Sequence, residues 1–292
     1  MRASFSLAIA SVLVSTSVLA QKGGLPLRIV AAENFYGDVA QQLGGDDVTV
    51  TSILSNPNQD PHLFEANAST ARALSEANLV IYNGIGYDPW VTKLLTASKA
   101  ESREVIVVAA LMHRKSGENP HLWYEPATMP MLAKALSAEL STSDPDHRTV
   151  YERRLASFLT SLRPITVKIN AMRQKYSGTT VTATEPIFGY MADALGLTMR
   201  DRPFQMSVMN GTEPSASEIA SFERDIKTRT VKVLFYNSQT TDDLTGRLKK
   251  LAQDSKVPIV GITETEPPGI TFQDWMMQQL DATEQALSNG RS

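Results

Sequence analysis

Leu27-Arg28-Ile29-Val30-Ala31-Ala32-Glu33-Asn34-Phe35-Tyr36-Gly37-Asp38-Val39-Ala40-Gln41-Gln42-Leu43-Gly44-Gly45-Asp46-Asp47-Val48-Thr49-Val50-Thr51-Ser52-Ile53-Leu54 packs a strand, a helix and a second strand into one continuous stretch. Leu27 to Ala31 is a mostly apolar run of strand length. Asn34 to Leu43 has helical spacing and stops at Gly44-Gly45, residues free to leave the helix at positive φ. Val48 to Leu54 is rich in β-branched residues that fit a pleated surface. Strand, helix and strand in succession are the unit of a parallel α/β layer.

The same alternation continues outward. Ala68 to Ala77 reads as a helix, Leu79 to Tyr82 as a strand closed by Asn83-Gly84, Trp90 to Ser98 as a helix and Glu104 to Ala109 as a strand. Ala127 to Leu140 is helical, and a second helical run starts at Asp144-Pro145 and continues to about Tyr176, with Ser143 or Asp144 ahead of the proline to cap it. At about 1.5 Å per residue that run is longer than a small lobe is wide, and Pro164 inside it should kink or interrupt it. After Gly178 the alternation resumes: strands Thr180 to Ala183, Val231 to Tyr236 and Ile259 to Ile262, with helices Ile187 to Leu195, Ser215 to Lys227, Asp242 to Ser255 and Phe272 to Leu287. The expected fold class is α/β, with two parallel-sheet lobes, residues 21–143 and 178–292, joined by a long rigid helix over 144–177.

Residues 1–20 have the make-up of a cleavable signal peptide: Arg2 near the start, an apolar run from Phe5 to Leu19, and Val18-Leu19-Ala20 before the expected cut. The apolar run is short and broken by serines, so stable membrane insertion is not expected. The sequence has no cysteine, which excludes a disulfide framework and thiolate metal ligation. It also removes the usual attachment point of a lipid anchor, so the mature protein is expected to be soluble and periplasmic. A net charge of -3 leaves no basic stripe for a phosphate backbone, and nucleic acid is not an expected partner.

Two of the four histidines stand in similar phrases, Asp60-Pro61-His62-Leu63-Phe64-Glu65 and Asn119-Pro120-His121-Leu122-Trp123-Tyr124-Glu125. Each proline stiffens the turn that presents the imidazole, and each phrase follows a strand of the first lobe. Glu185 follows the strand Thr180 to Ala183, and Glu264 follows Ile259 to Ile262. Ligands gather at the carboxyl ends of strands in open parallel sheets. Two neutral imidazoles and two carboxylates also balance the charge of a divalent cation, which makes partial burial between lobes tolerable. A Pro-His turn or a carboxylate at a helix start is commonplace alone; the four together point to a metal site. His113 and His147 read as solvated residues. Trp123, Tyr124 and Phe64 read as core filler between the lobes ahead of a dry wall around the metal, and Asn237 and Gln239 as residues that either form a turn or orient a ligand or line the cleft.

The phrases around His62 and His121, with Ala77-Asn78-Leu79-Val80-Ile81-Tyr82-Asn83-Gly84, Val233-Leu234-Phe235-Tyr236-Asn237-Ser238-Gln239 and Phe272-Gln273-Asp274-Trp275-Met276, carry a resemblance over nearly the whole mature length. The chain resembles the zinc- and manganese-binding solute receptors of bacterial ABC importers, family nine of the extracellular solute-binding proteins. The resemblance implies metal ligands at His62, His121, Glu185 and Glu264. The last departs from the aspartate usual in the family, with Glu266 as its alternate. It further implies capture of a divalent ion without catalysis by a monomeric receptor, modest lobe motion, and delivery to a membrane permease with its ATPase.

Carboxylate oxygen suits manganese and imidazole suits zinc, so two of each leans slightly to manganese, against an affinity order that favours zinc. The short loop His113-Arg114-Lys115-Ser116-Gly117-Glu118 also lacks the histidine-rich character of many zinc receptors. The competing readings are a secreted metallohydrolase, which needs an open ligand position for water, and a receptor for a larger chelate such as a siderophore.

Overall fold

The computed structural model describes residues 25–290 apart from 59, 60, 99, 101 and 241; the signal peptide expected over residues 1–20 lies outside them. The first lobe comprises β1 (Leu27–Glu33), α1 (Asn34–Gly44), β2 (Val48–Leu54), α2 (Ala68–Glu76), β3 (Leu79–Tyr82), α3 (Pro89–Ala97), β4 (Glu104–Val107), α4 (Val108–Leu111) and α5 (Thr128–Ser143). Two helices follow, α6 (Arg148–Ser161) and α7 (Arg163–Tyr176). The second lobe holds β5 (Thr180–Ala183), α8 (Gly189–Ala194), β6 (Thr198–Met199), α9 (Arg202–Met209), α10 (Ala216–Lys227), β7 (Leu234–Asn237), α11 (Asp243–Asp254), β8 (Ile259–Ile262) and α12 (Phe272–Asn289).

Each lobe has a four-stranded sheet, ordered β2-β1-β3-β4 and β6-β5-β7-β8, with every pairing parallel. The winding direction reverses between β1 and β3 and again between β5 and β7. Chain leaving the carboxyl ends of the strands there diverges and opens a crevice, which is where such sheets bind ligands.

The fold departs from the sequence expectation in three main places. The fourth strand ends at Val107 instead of Ala109: its last partner is Tyr82, the end of β3, and the chain turns into α4 while Ala109 N–H still reaches the Asn83 carbonyl (2.9 Å). β6 and α9 have no counterpart in the expected elements. Two residues are too few to show alternation, and α9 begins abruptly from Asp201 in the left-handed region at φ 55°. Asp144 does not cap backbone; its carboxylate accepts from His147 Nδ1 (2.6 Å) and the Tyr151 hydroxyl (2.7 Å). The interruption expected at Pro164 is present: the long helical run is two helices meeting at Leu162, since Pro164 in the first turn of α7 supplies no N–H. α6 packs on α1 and α5 and α7 on α12, so the pair leans on both lobes.

One apolar core runs through both lobes, and a smaller one around Phe204, Phe222 and Leu248 lies within the second. The shared core contains an aromatic chain: Phe35 meets Trp123 (ring centroids 4.6 Å apart) and Trp275 (5.8 Å), while Tyr124 meets Trp275 (5.7 Å) and Phe188 (5.4 Å). Polar ties cross beside it, with Asn34 and Glu266 exchanging Nδ2–H···O (2.7 Å) and N–H···Oδ1 (3.0 Å) bonds. Among the described residues no helix is long and apolar enough to cross a membrane.

Candidate metal centre

Four short post-strand segments face the crevice. His62 sits in the 3-10 turn Pro61–Leu63 and His121 immediately precedes the turn Leu122–Tyr124. Glu185 precedes the turn Pro186–Phe188, and Glu264 lies two residues beyond β8. A proline stands directly before or after three of these residues and fixes the local backbone.

The structure brings three of the four together. Glu264 Oε2 lies 3.3 Å from His62 Nε2 and 3.2 Å from His121 Nε2, and the three donor atoms fall within 4.8 Å of one another. The His121 and Glu264 side chains are inaccessible to solvent, whereas His62 keeps 25% exposure. His62 therefore forms the mouth of the cluster. Glu185 is buried outside this trio, on the wall of a cleft of about 730 Å³ that His62 also lines, with Asn56, Asn58, Gln239 and Thr240. Glu266 is turned away into the lobe contact, and burial, then Asp38, push its carboxyl up to about 9.

The hydrogen bonds fix how the cluster presents its lone pairs. Asn119 Nδ2 donates to the Pro186 carbonyl (2.7 Å), so its Oδ1 is the acceptor facing His121, and it receives both the backbone N–H (3.1 Å) and Nδ1 (2.6 Å). The imidazole proton is thus committed to Nδ1. Burial lowers the His121 pKa and keeps the ring neutral, leaving a bare Nε2 aimed at a carboxylate oxygen 3.2 Å away. Two lone pairs at that distance repel unless a cation lies between them.

Glu264 is held as firmly from its other side. Asn237 Nδ2 donates to Oε1 (2.6 Å), and Gln239 Oε1 receives the backbone N–H groups of Glu264 and Thr265. Asn237 and Gln239 orient a carboxylate that the cluster uses.

Sequence reasoning missed three contributors. Tyr87, in the loop after β3, sets its ring edge against His62 (5.2 Å) and His121 (6.0 Å). Glu33 and Asp88 form a buried carboxyl pair behind it; Asp88 accepts from the N–H groups of Asn83 (2.6 Å) and Gly84 (2.9 Å). Burial, then the Asp88 charge, push Glu33 well up, and burial raises Asp88 to about 6. The available signal is positional: Glu33 ends β1, and Tyr87 follows β3 at the sheet edge that carries the histidines. Phe64 packs on Trp90 (4.9 Å) and belongs to the lobe core.

The family model described as zinc-uptake complex component A, periplasmic, matches residues 29–286. The manganese ABC transporter substrate-binding lipoprotein PsaA of Streptococcus pneumoniae serotype 4 is 25% identical over 286 residues, spanning 91% of this chain and 90% of the relative. The metal ABC transporter substrate-binding lipoprotein ScbA of Streptococcus cristatus is 23% identical over 289 residues, spanning 92% and 91%. Among solved structures, the periplasmic zinc-binding protein TroA from Treponema pallidum superimposes with a TM-score of 0.75 at 19% identity, covering 90% of this chain and 99% of that one. A ZnuA crystal structure gives 0.71 at 24%, covering 91% and 99%. These structures share the fold of two α/β lobes. The relatives correct one expectation: PsaA and ScbA are named lipoproteins, so the comparison supports a place outside the cytoplasm but not a freely soluble periplasmic form without a lipid anchor.

Proposed function

The chain belongs to the ZnuA family, the periplasmic zinc-uptake complex component A, and on that premise we propose that it captures a divalent transition-metal ion, manganese or zinc. It delivers the ion, outside the cytoplasm, to the membrane permease of an ABC importer driven by an ATPase. The related proteins are substrate-binding components of transporters rather than enzymes, and no catalytic step belongs to this reading. The monomeric receptor has lobes at residues 21–143 and 178–292, linked through 144–177.

One observation carries the proposal: a neutral His121 Nε2, the His62 Nε2 and the Glu264 Oε2 converge within 4.8 Å with no proton available from His121 to separate them. A cation placed among them replaces repulsion with three donor bonds. Glu185 supplies a second oxygen by turning in from the cleft wall. Two oxygen and two nitrogen donors lean toward manganese, while zinc binds such a set more tightly in a direct competition.

Calorimetry of the metal-stripped protein with Mn²⁺ and Zn²⁺ tests the reading, comparing wild type with His62→Ala, Glu185→Gln and Glu264→Gln. The histidine and Glu264 changes are expected to weaken binding by at least about tenfold. Glu185→Gln is expected to weaken Mn²⁺ more than Zn²⁺, because the lost ligand is an oxygen. Wild-type affinity in both His62→Ala and Glu264→Gln would remove the site.

A further inference from the structure

Asn83 directly follows β3, is completely buried, and has every polar group engaged. Its backbone N–H donates to Asp88 Oδ2 (2.6 Å), and its carbonyl accepts from the Ala109 N–H in α4 (2.9 Å). The side-chain Oδ1 accepts from the Tyr36 hydroxyl on α1 (2.7 Å), while Nδ2 donates to the carbonyls of Gly84 (3.2 Å) and Pro120 (2.9 Å). Carbonyl oxygens only accept, so the amide faces them with its nitrogen and its orientation is fixed. A buried amide is tolerable when its groups are paired in this way. The bond to Pro120 spans 37 residues of sequence and ends on the residue before His121.

The Pro120 carbonyl and the His121 N–H belong to one peptide unit. Asn83 and the Leu122 N–H (2.7 Å) hold its oxygen, and Asn119 Oδ1 holds its nitrogen (3.1 Å). Because the unit is planar, bonds at its two ends fix the plane from which the His121 side chain projects. The first Pro-His phrase is built differently. The Pro61 carbonyl accepts the Phe64 N–H from within its own turn (3.2 Å), and His62 keeps its exposure at the mouth while His121 is sealed. The same wording therefore gives one anchored imidazole and one at the entrance.

The support behind Asn83 is tightly packed. Gly84 has φ of 84°, and a Cβ there would stand 2.9 Å from Val107 Cγ1 and 3.2 Å from Ala109 Cβ. Asp88 gathers the N–H groups of both Asn83 and Gly84, which closes the turn after β3 on itself. Tyr36 is fully buried with its ring edge against Phe35 (4.6 Å).

We propose that Asn83 is a positioning residue of the metal site: by holding the Pro120 carbonyl it sets, before any ion arrives, the direction in which His121 Nε2 points. The chain Tyr36–Asn83–Pro120 reaches the ligand from the sheet side, whereas Asn119 reaches it from the ring side. A donor already aimed has little freedom to lose on binding, so metal affinity depends on this chain although none of its side chains touches the ion.

The proposal rests on the metal-capture reading, and the experiment separates the two. Mn²⁺ and Zn²⁺ are titrated into metal-stripped wild type, Asn83→Ala and Tyr36→Phe, and the imidazole ¹⁵N–¹H signals of each metal-free protein are recorded. Asn83→Ala is expected to bind both ions about 10- to 100-fold more weakly. Tyr36→Phe keeps the ring and removes only the hydroxyl; a loss of about two- to fivefold is expected, part of the value of one neutral hydrogen bond. In both variants the His121 signals are expected to move further than those of His62 and His147, a selectivity that general loosening of the fold would not produce. Wild-type affinity in Asn83→Ala overturns the proposal, as does weakened binding with His121 signals no more displaced than those of His62. Where Asn83→Ala does not fold, Tyr36→Phe decides on the same two readouts. Wild type that binds neither ion overturns metal capture itself, and the role of Asn83 with it.

Discussion

Asn119 holds His121 by its backbone and by its ring while its amide nitrogen reaches the other lobe at Pro186, the neighbour of Glu185. Tyr190 adds a bond from its hydroxyl to the Asn119 carbonyl (2.8 Å). One side chain therefore selects the imidazole tautomer and sets the spacing of two segments that face the cleft. Asn119→Ala frees Nδ1 and lets the proton move to Nε2, where it competes with a cation. Metal affinity is expected to fall about 10- to 100-fold, as for other groups that orient a ligating histidine, with calorimetry as the measurement; Asn119→Asp, which keeps an acceptor, is expected to lose less. The histidines were legible because each is announced within its own Pro-His-Leu phrase. Asn119 stands in the same phrase, but its partners lie 67 and 71 residues away, so nothing local reveals what it does. Tyr87 and Glu33 were illegible for the same reason: a tyrosine in a loop and a glutamate ending a strand acquire meaning only from what the other elements bring beside them.

The start of α6 depends on a polar knot. His147 Nδ1 bonds Asp144 (2.6 Å), His147 Nε2 comes within 3.9 Å of Asp47, and Arg154 reaches Asp47 (2.7 Å) and the Gly44 carbonyl (2.6 Å). His147 is thus a bridge between the linking helices and the end of α1, not the free surface residue its position suggests. The Asp144 hydrogen bond raises the His147 pKa, with the charges of Asp144, Asp47 and Asp146 acting the same way, while Asp144 itself is held below its ordinary value. A histidine pKa raised by folding contributes stability that is complete below its ordinary value near ~6.5 and is lost as pH rises through the raised value. Hydrogen-exchange protection of residues 145–161, corrected for intrinsic exchange, is therefore expected to fall in wild type as pH rises above the ordinary histidine value near ~6.5 and through the raised one. In His147→Ala it should start lower and stay flat; an equal fall in the variant would assign the pH dependence elsewhere. Helices with a clear period and a proline were legible at this scale, as α6 and α7 illustrate. β6 and α9 were not, because a two-residue strand and a helix launched from a left-handed aspartate are set by packing against β5 and the turn Pro186–Phe188.

At the scale of the whole molecule, the alternation from Leu27 onward made the two sheets legible, but not how tightly the lobes adhere. Alternating strands and helices report which faces are apolar and do not say which lobe an aromatic residue joins. Trp275 is where that question is decided. It is fully buried on α12, meets Phe35 and Tyr124 of the first lobe, and donates from Nε1 to Thr263 Oγ1 (2.9 Å), while the Tyr124 hydroxyl donates to the Thr263 carbonyl (2.9 Å). Glu264 is the next residue along the chain. The interface core and the metal cluster are therefore joined through Thr263, and lobe adhesion and ligand placement should fail together. Trp275→Ala is expected to cost about 3–5 kcal/mol, the range for truncating a large buried aromatic side chain. The loss falls on the contact between lobes, so metal-free wild type should melt in one transition and the variant in two, with calorimetric enthalpy exceeding the van't Hoff value. In the proposed site saturating metal would tie His62 and His121 of one lobe to Glu264 of the other, and should draw the two transitions back toward one, since a ligand that binds only the assembled form stabilises it by mass action. A variant that still melts in a single, merely lower transition, with metal affinity intact, would show that the lobes are coupled through α6 and α7 rather than through the aromatic core.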